Sequence, residues 1–407
     1  MMFKLLTISV MYSGFLNSFY KRNPHYKKLS FESQSEQILR ETSEPIGSYT
    51  KMFNSMGIEA SCVITNASLL QKRWRIENGL LSVTNDILVL EQVKKNKPDV
   101  LWIESLDYFE KKWVDLVRKS VPEIKLIIGS HCSPYSLKML ENFRNLDFVF
   151  TCTPGMKNEF EKNKLKTHLV YHAFDTNVLD RIKEDTDLLP VNDFIFTGSL
   201  FKGGGFHDKR IDFLESILKK NIDLKIYANL EKGYKTSAKQ LIYYTLRLLN
   251  ILKIDKFFKR LPFIAKHNIY SENLVATYSV KLKKAVHKPV FGLEMYSLLK
   301  KSKIVLNMHI DAAGDYAGNV RLFEATGVGS CLLTDNKKNL GELFDVNKEI
   351  VVYDGVDDCI EKTKWLLTHE EERKRIAESG QQRTLSSHTI EERCKKIIEI
   401  INSELRD

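Results

Sequence analysis

Arg321 and Glu324 stand three residues apart, just after a loop of small residues that runs from Asp311 through Ala-Ala-Gly-Asp-Tyr-Ala-Gly to Asn319. A guanidinium placed there can pair with a diphosphate. A carboxylate one turn later can accept hydrogen bonds from the hydroxyls of a ribose. If Val320 opens a helix, the loop meets unpaired backbone N–H groups and the positive end of the dipole, which also suits a phosphate. Arg321 in that first turn is mildly unfavourable for the helix itself but useful to a docked diphosphate. An ordinary crossover with a loose loop would produce the same pattern, so these residues point to nucleotide binding without requiring it.

Positioning these groups takes a strand before and a strand after. Residues 304–310 are a short apolar run with polar breaks and read as a strand, 320 to about 326 follow a helical pattern, and 331–334 form a second strand beyond Gly327-Val-Gly329. The same alternation starts at 4–10, a first buried strand, followed by a polar loop with Tyr12, Ser13, Gly14, Tyr20 and Arg22. Further strands are expected at 58–65, 98–104, 124–129, 146–152 and 167–172, with helices at 35–40, 48–56, 85–96 and 113–119. Strands apolar along most of their length, alternating with helices, mean a parallel sheet covered on both faces. Ligands of such sheets sit beyond the carboxyl ends of the strands, which makes His131, Thr153 and Asp175 cleft candidates. Residues 184–192, mostly polar and holding Pro190, read as a linker between a first domain, 1–183, and a second, 193–387. The second domain opens with a strand at 194–197 and then Gly198-Ser199 and Lys202-Gly-Gly-Gly205, where glycine lets the backbone approach an anion. A strand at 224–228 follows, then, beyond the central unit, a strand at 349–353 and helices at 339–344, 356–368, 370–378 and 390–405.

Asn319, Arg321, Phe323, Glu324, Gly327 and Asp335 resemble the signature of the CgeB-like branch of GT-B glycosyltransferases, an Asn-x-Arg-x-Phe-Glu run followed by a glycine and an apolar strand ending in Thr-Asp. The broader retaining families of this fold carry two glutamates eight positions apart. Glu324 matches the second, and Tyr316 stands where the first would fall. The resemblance implies an α/β chain of GT-B architecture, with two Rossmann-like parallel-sheet domains facing across a cleft, the first on the acceptor side and the second binding a nucleotide-sugar. It implies donor contacts for Gly198, Ser199, Lys209, Arg210, Gly292, Asn319, Val320, Arg321 and Glu324. Met295 resembles a family position too, although core packing explains it more simply. His131 falls where several of these families place a histidine near the transferred sugar, and a partly exposed loop histidine is the plainer reading. The implied activity is sugar transfer from a nucleotide-sugar donor to a glycan or lipid-linked acceptor, as in bacterial surface polysaccharide or lipopolysaccharide assembly, with Glu324 favouring retention. For a base, His131 is the first candidate, then Asp311, Asp315 or His309. Asp357-Asp358, the acidic pair considered for a metal, sits late in the chain, so diphosphate charge would fall to Arg321, Lys209 or Arg210 and the helix N-terminus. No metal and no cofactor is expected. A last helix, 388–407, crosses back to the first domain in many such proteins.

The 407 residues are enough for two cores, and 43% hydrophobic with 28% charged content is ordinary for a globular chain. A net charge of +10, from 62 basic against 52 acidic side chains, favours anionic partners, a nucleotide-sugar or an anionic membrane surface among them. Nucleic acid is not expected, for want of zinc-finger spacing, an RNP-type motif or a basic tail. Six cysteines without a Cys-x-x-Cys fit a reducing compartment. With a short apolar run and no clean cleavage site near residue 1, a cytoplasmic protein is expected, and no run is long enough to span a bilayer. Residues 231–284 form an insertion dense in Leu, Ile, Tyr, Phe, Lys and Arg. It could lie in an anionic membrane interface, making the protein peripheral on the inner face of the cytoplasmic membrane, or pack as a hairpin on its own domain. Three rivals share the architecture. A periplasmic-type binding protein would need a signal peptide, an inactive GT-B scaffold or peripheral membrane assembly protein would turn over no donor, and a sugar-nucleotide epimerase would need no acceptor.

Overall fold

Alternation along a strand decides which core each side chain enters. The computed structural model describes residues 3–42, 44–104, 110–133, 135, 137–183, 191–200, 208–230, 233–252, 278–310 and 314–406. In it β1 (Lys4–Ser9) sends Leu6 and Ile8 into one core and Leu5 into the other. β3 (Val100–Ile103) does the same with Leu101 and Ile103 against Val100 and Trp102. Neither face meets water, which is why these strands are continuous apolar runs.

β1, β2 (Glu59–Ile64), β3, β4 (Leu126–Ser130), β5 (Phe148–Thr151) and β6 (Thr167–Leu169) form a parallel sheet ordered β2-β1-β3-β4-β5-β6. The second sheet takes β7 (Asn192–Thr197), β8 (Lys225–Tyr227), β9 (Val286–His287), β10 (Ser302–Asn307), β11 (Cys331–Asp335) and β12 (Val351–Tyr353) in the order β12-β11-β10-β7-β8-β9, again all parallel. Each is a doubly wound sheet. The order reverses between β1 and β3 in the first and between β7 and β10 in the second, and the loops leaving such neighbours diverge and open a crevice.

Some elements differ from the sequence expectation. The polar stretch after β1 is a helix, Ser13–Arg22, because Phe15, Leu16, Phe19 and Tyr20 share one buried face despite the polar residues between them. The helix Ser68–Glu77 is unannounced in the sequence, since it is polar overall and buries only Leu70, Gln71 and Trp74. The helix expected at 370–378 runs to Ser387. Polar residues hide its second half, where Gly380 lies so close to the Glu349 carbonyl that a Cβ would stand 2.2 Å from that oxygen. Of the expected linker, residues 184–190 lie outside the described residues, and Asn192 already pairs in β7. Of the insertion, Gly233–Ile251 and Val280–Ala285 are helices and 253–277 lie outside the described residues. Among the described residues no helix is long and apolar enough to cross a membrane.

The chain passes between the domains twice at one place. Just beyond β6 the Phe174 N–H donates to the His388 carbonyl (2.8 Å), and the Ile390 N–H donates to the Phe174 carbonyl (3.0 Å). The Phe174 ring is buried in the core of the second domain beside Tyr296. The last helix, Ile390–Glu404, then lies on the first sheet, with Ile390, Cys394, Ile397 and Ile401 packed among Phe3, Phe53, Trp102 and Phe150. Glu404 at its end meets His168 (3.0 Å) and Lys166.

Candidate active site

Arg210 lies in the first turn of the helix Asp208–Lys219 and is buried. A buried cation needs acceptors. It donates to the carbonyls of Ser199 (3.2 Å) and Met308 (2.6 Å), and its guanidinium carbon stands 5.6 Å from the Phe196 ring. Those carbonyls follow β7 and β10, so Arg210 bridges the crevice where the second sheet reverses and fixes the Gly198-Ser199 turn beside it. Lys209 is exposed.

The loop after β10 ends on Asn319, which exchanges amide hydrogen bonds with Asn307 (2.7 and 3.3 Å). Asn307 in turn reaches Thr334 (2.9 Å) on β11. Val320 caps the helix Arg321–Gly327 with helical torsions and no side-chain bond. Seven residues make a short dipole, so the charge at that terminus comes mainly from Arg321. Its Nη1 lies 2.8 Å from Glu324 Oε2 and 3.1 Å from Met295 Sδ. Tyr296 donates to Glu324 Oε1 (3.3 Å). Met295 and Tyr296 are brought there by the helix Gly292–Lys300, which Gly292 opens in a left-handed conformation (φ 59°). Arg321 Nε is buried with no hydrogen-bond partner, a state that costs about 1–3 kcal/mol and marks a place for an acceptor from outside the chain.

The three further base candidates of the second domain fare differently. The His309 ring is wholly enclosed. Its Nδ1 donates to Asp335 Oδ1 (2.7 Å), the same oxygen takes its backbone N–H (3.0 Å), and Lys337 lies 3.4 Å from the other oxygen. Burial would raise the Asp335 carboxyl, but the His309 bonds and Lys337 outweigh it and hold it below the ordinary value. An enclosed imidazole tied in this way anchors the end of β10. Asp315 is exposed and paired with Lys338 (2.6 Å), whose bond holds its carboxyl low and makes it a weak base. Asp311 lies outside the described residues. Asp357 and Asp358 pair with Lys220 (3.8 Å) and Lys362 (2.8 Å).

In the first domain a cavity of about 440 Å³ opens at the carboxyl ends of β1, β3, β4, β5 and β6. Tyr12, Glu44, Glu104, His131, Cys132 and His172 all line it. The His131 ring sits in the wall against Phe143 and Tyr135 (5.3 and 6.0 Å), with Nε2 3.3 Å from Ser133 Oγ. Thr153 and Asp175 are taken up in local hydrogen bonds instead. Thr153 caps the helix Pro154–Lys162 by accepting from the Met156 N–H (3.2 Å), and Asp175 accepts from Ser48 and from the Asn177 N–H. Glu44 accepts the Tyr12 N–H on both oxygens (3.1 Å each), yet burial lifts its carboxyl to about 7. Burial also raises Glu104, against a hydrogen bond from Ser9.

Sequence reasoning passed over these acids and His172. Glu104 and His172 close the expected strands 98–104 and 167–172, so the strand-end rule that picks out His131 covers them as well. For Glu44 there is no comparable signal.

The two walls face each other. The Tyr12 phenol interacts with Glu324, Glu44 and Arg321, and its ring lies 6.1 Å from Phe291 of the second domain. His172 likewise interacts with Glu324. Gly318 lets the loop between β10 and its helix press on the first domain, since a Cβ there would stand 2.5 Å from the Cys152 carbonyl oxygen. One wall offers fixed cations and a carboxylate, and the other a pocket lined by Glu44 and Glu104.

Residues 254–399 match the family described as glycosyl transferase-like. A glycosyltransferase from Rickettsia africae is similar over 100% of this chain and 99% of its own, at 12% identity and a TM-score of 0.57. HepE from Anabaena, solved in complex with UDP-glucose, is similar over 98% of this chain and 100% of its own, at 10% identity and a TM-score of 0.58. Sucrose-phosphate synthase from Thermosynechococcus elongatus covers 98% of each chain at 9% identity and a TM-score of 0.53. No curated protein matches the sequence. The shared fold is that of GT-B glycosyltransferases, and the family match does not single out the CgeB-like branch.

Proposed function

We propose that this protein, with its glycosyl transferase-like sequence over 254–399 and its GT-B fold, moves a sugar from a nucleotide-sugar donor to a glycan or lipid-linked acceptor. The supporting observation is the opposition, across one cleft, of the Arg321–Glu324 pair and the acid-lined cavity of the first domain. As the glycosidic bond breaks, negative charge grows on the departing diphosphate. Arg321, with its unsatisfied Nε, and the Arg210 and Lys209 side of the crevice supply fixed positive charge without reorganisation. Glu324, held by Tyr296 and Arg321, takes the ribose hydroxyls on its remaining lone pairs. Across the cleft, Glu44 with a pKa of about 7 is matched to taking a proton from an acceptor hydroxyl near neutral pH. Charge stabilisation by side chains makes the donor step independent of divalent metal, and Glu324 in the position of the resembled families favours retention at the anomeric carbon.

A lipid-linked acceptor is supported by the helix Gly233–Ile251. Leu241, Tyr244, Leu248 and Ile251 are exposed along one of its faces, while Tyr243 and Leu246 are buried. With a net charge of +10, that stripe suits an anionic membrane surface on the inner face of the cytoplasmic membrane, where surface polysaccharides are assembled.

The test is thermal denaturation with UDP, GDP, CMP, TDP and their common sugars, UDP-sugars first because HepE was solved with one. One nucleotide should raise the Tm of wild type by mass action and not that of Glu324→Gln, which keeps the Tyr296 contact. Glu324→Ala is the harsher companion, because it strands a buried guanidinium and should cost about 3–5 kcal/mol by itself. No shift with any nucleotide would sink the donor site and leave a non-catalytic scaffold.

A further inference from the structure

Three neighbouring strands of the first sheet, β4, β5 and β6, end in residues that converge. Cys132 follows β4, Cys152 follows β5 and His172 follows β6. Their two sulfurs and an imidazole nitrogen all lie within 4.8 Å of one another. Cys152 is buried, His172 half-buried and Cys132 exposed, and Cys132 and His172 line the cavity facing Arg321 and Glu324. We propose that this trio binds one zinc ion, with its fourth coordination position open to the cavity.

The donor set argues for the metal. Thiolate and imidazole select zinc over magnesium or calcium, which take oxygen ligands. Two cysteines, one histidine and an open fourth position form a set of the kind that keeps zinc accessible to a small ligand. At Zn–S distances of about 2.3 Å and Zn–N of about 2.0–2.1 Å, tetrahedral ligand atoms stand roughly 3.5–3.8 Å apart. Ligand atoms no more than 4.8 Å apart stand within about 1 Å of that separation. The proton balance is explicit. Zinc binds cysteine as the thiolate and histidine as the neutral imidazole. One zinc ion therefore displaces the protons of the two thiols and takes a lone pair of the His172 imidazole, so affinity rises with pH. The site belongs to the first sheet alone and stands whether or not the second domain binds a nucleotide.

The experiment uses the full chain, reduced and stripped with a chelator, titrated with Zn²⁺ against a chromophoric indicator and with Co²⁺ by absorption. One equivalent of metal is expected, with thiolate-to-cobalt charge-transfer bands and tetrahedral d–d bands. Cys132→Ser, at an exposed position, should lose the charge-transfer intensity in part. It should also weaken zinc by more than the 10–100-fold that loss of an outer-shell partner costs. Cys359→Ser, in the other domain, should change neither. Weak octahedral cobalt spectra indifferent to Cys132→Ser would overturn the proposal. So would a chain that binds no metal and, left unreduced, loses two titratable thiols through a Cys132–Cys152 disulfide. The nucleotide-dependent Tm shift, read on the same samples, reports the donor site separately.

Discussion

A carboxyl lifted by burial from 4.5 to about 7 keeps its proton in the folded protein where the unfolded chain has lost it, and Glu44 is such a group. Between those values the native state binds more protons, so stability falls as pH rises. At about 1.4 kcal/mol per pKa unit the loss is roughly 3 kcal/mol, absent below the unfolded value and complete above the folded one. Glu44→Gln should therefore be more stable than wild type near pH 8 by up to that amount and nearly equal to it near pH 4, as denaturant titrations at the two pH values would read. If Glu44 takes the acceptor proton, the same variant should lose about 10²–10⁴-fold in kcat, a rate defect in a stabilised protein. Arg321 and Glu324 are legible in the sequence because they follow a small-residue loop at helical spacing. Glu44 is not, because its chemistry comes from its seat beside the Tyr12 backbone, which is a property of the fold.

Gly327 ends the helix that carries Arg321 and Glu324, and a Cβ there would come within 2.4 Å of the Phe174 ring. Gly327→Ala should force that ring or the helix to move, at about 1–3 kcal/mol, and because the same helix sets the donor residues it should also weaken the nucleotide-dependent Tm shift. At this scale too, the stripe on Gly233–Ile251 can be tested. Leu241→Asp with Leu248→Asp, both exposed, should leave the stability within about 1 kcal/mol of wild type, roughly 0.5 kcal/mol for each change, while lowering co-sedimentation with anionic vesicles, and equal co-sedimentation would discard the membrane contact. Strands were legible because both faces are buried and the whole strand must be apolar, as in Leu101-Trp102-Ile103. The helix Ser13–Arg22 was not, because Ser, Asn and Lys on its outer face break up the run of Phe15, Leu16 and Phe19.

Across the whole molecule, the parallel two-domain architecture could be read from strand and helix alternation, but the way the walls meet could not, since Gly318, Phe174 and Gly327 act through contacts remote in sequence. Ile401 lies in the core of the first domain from the far end of the chain. Ile401→Ala should cost about 2–5 kcal/mol and speed amide exchange in β1 and β3, with the nucleotide-dependent shift of the second domain retained. The seating of that last helix also imposes an order of events on synthesis. Phe3 and Ile401 belong to one core, so a face of the first sheet stays bare while roughly 220 more residues are translated, on the order of 10–45 seconds at about 5–20 residues per second. Through that interval the nascent chain offers a greasy surface to holding chaperones, and a ribosome that stalls short releases a polypeptide whose first core never seals.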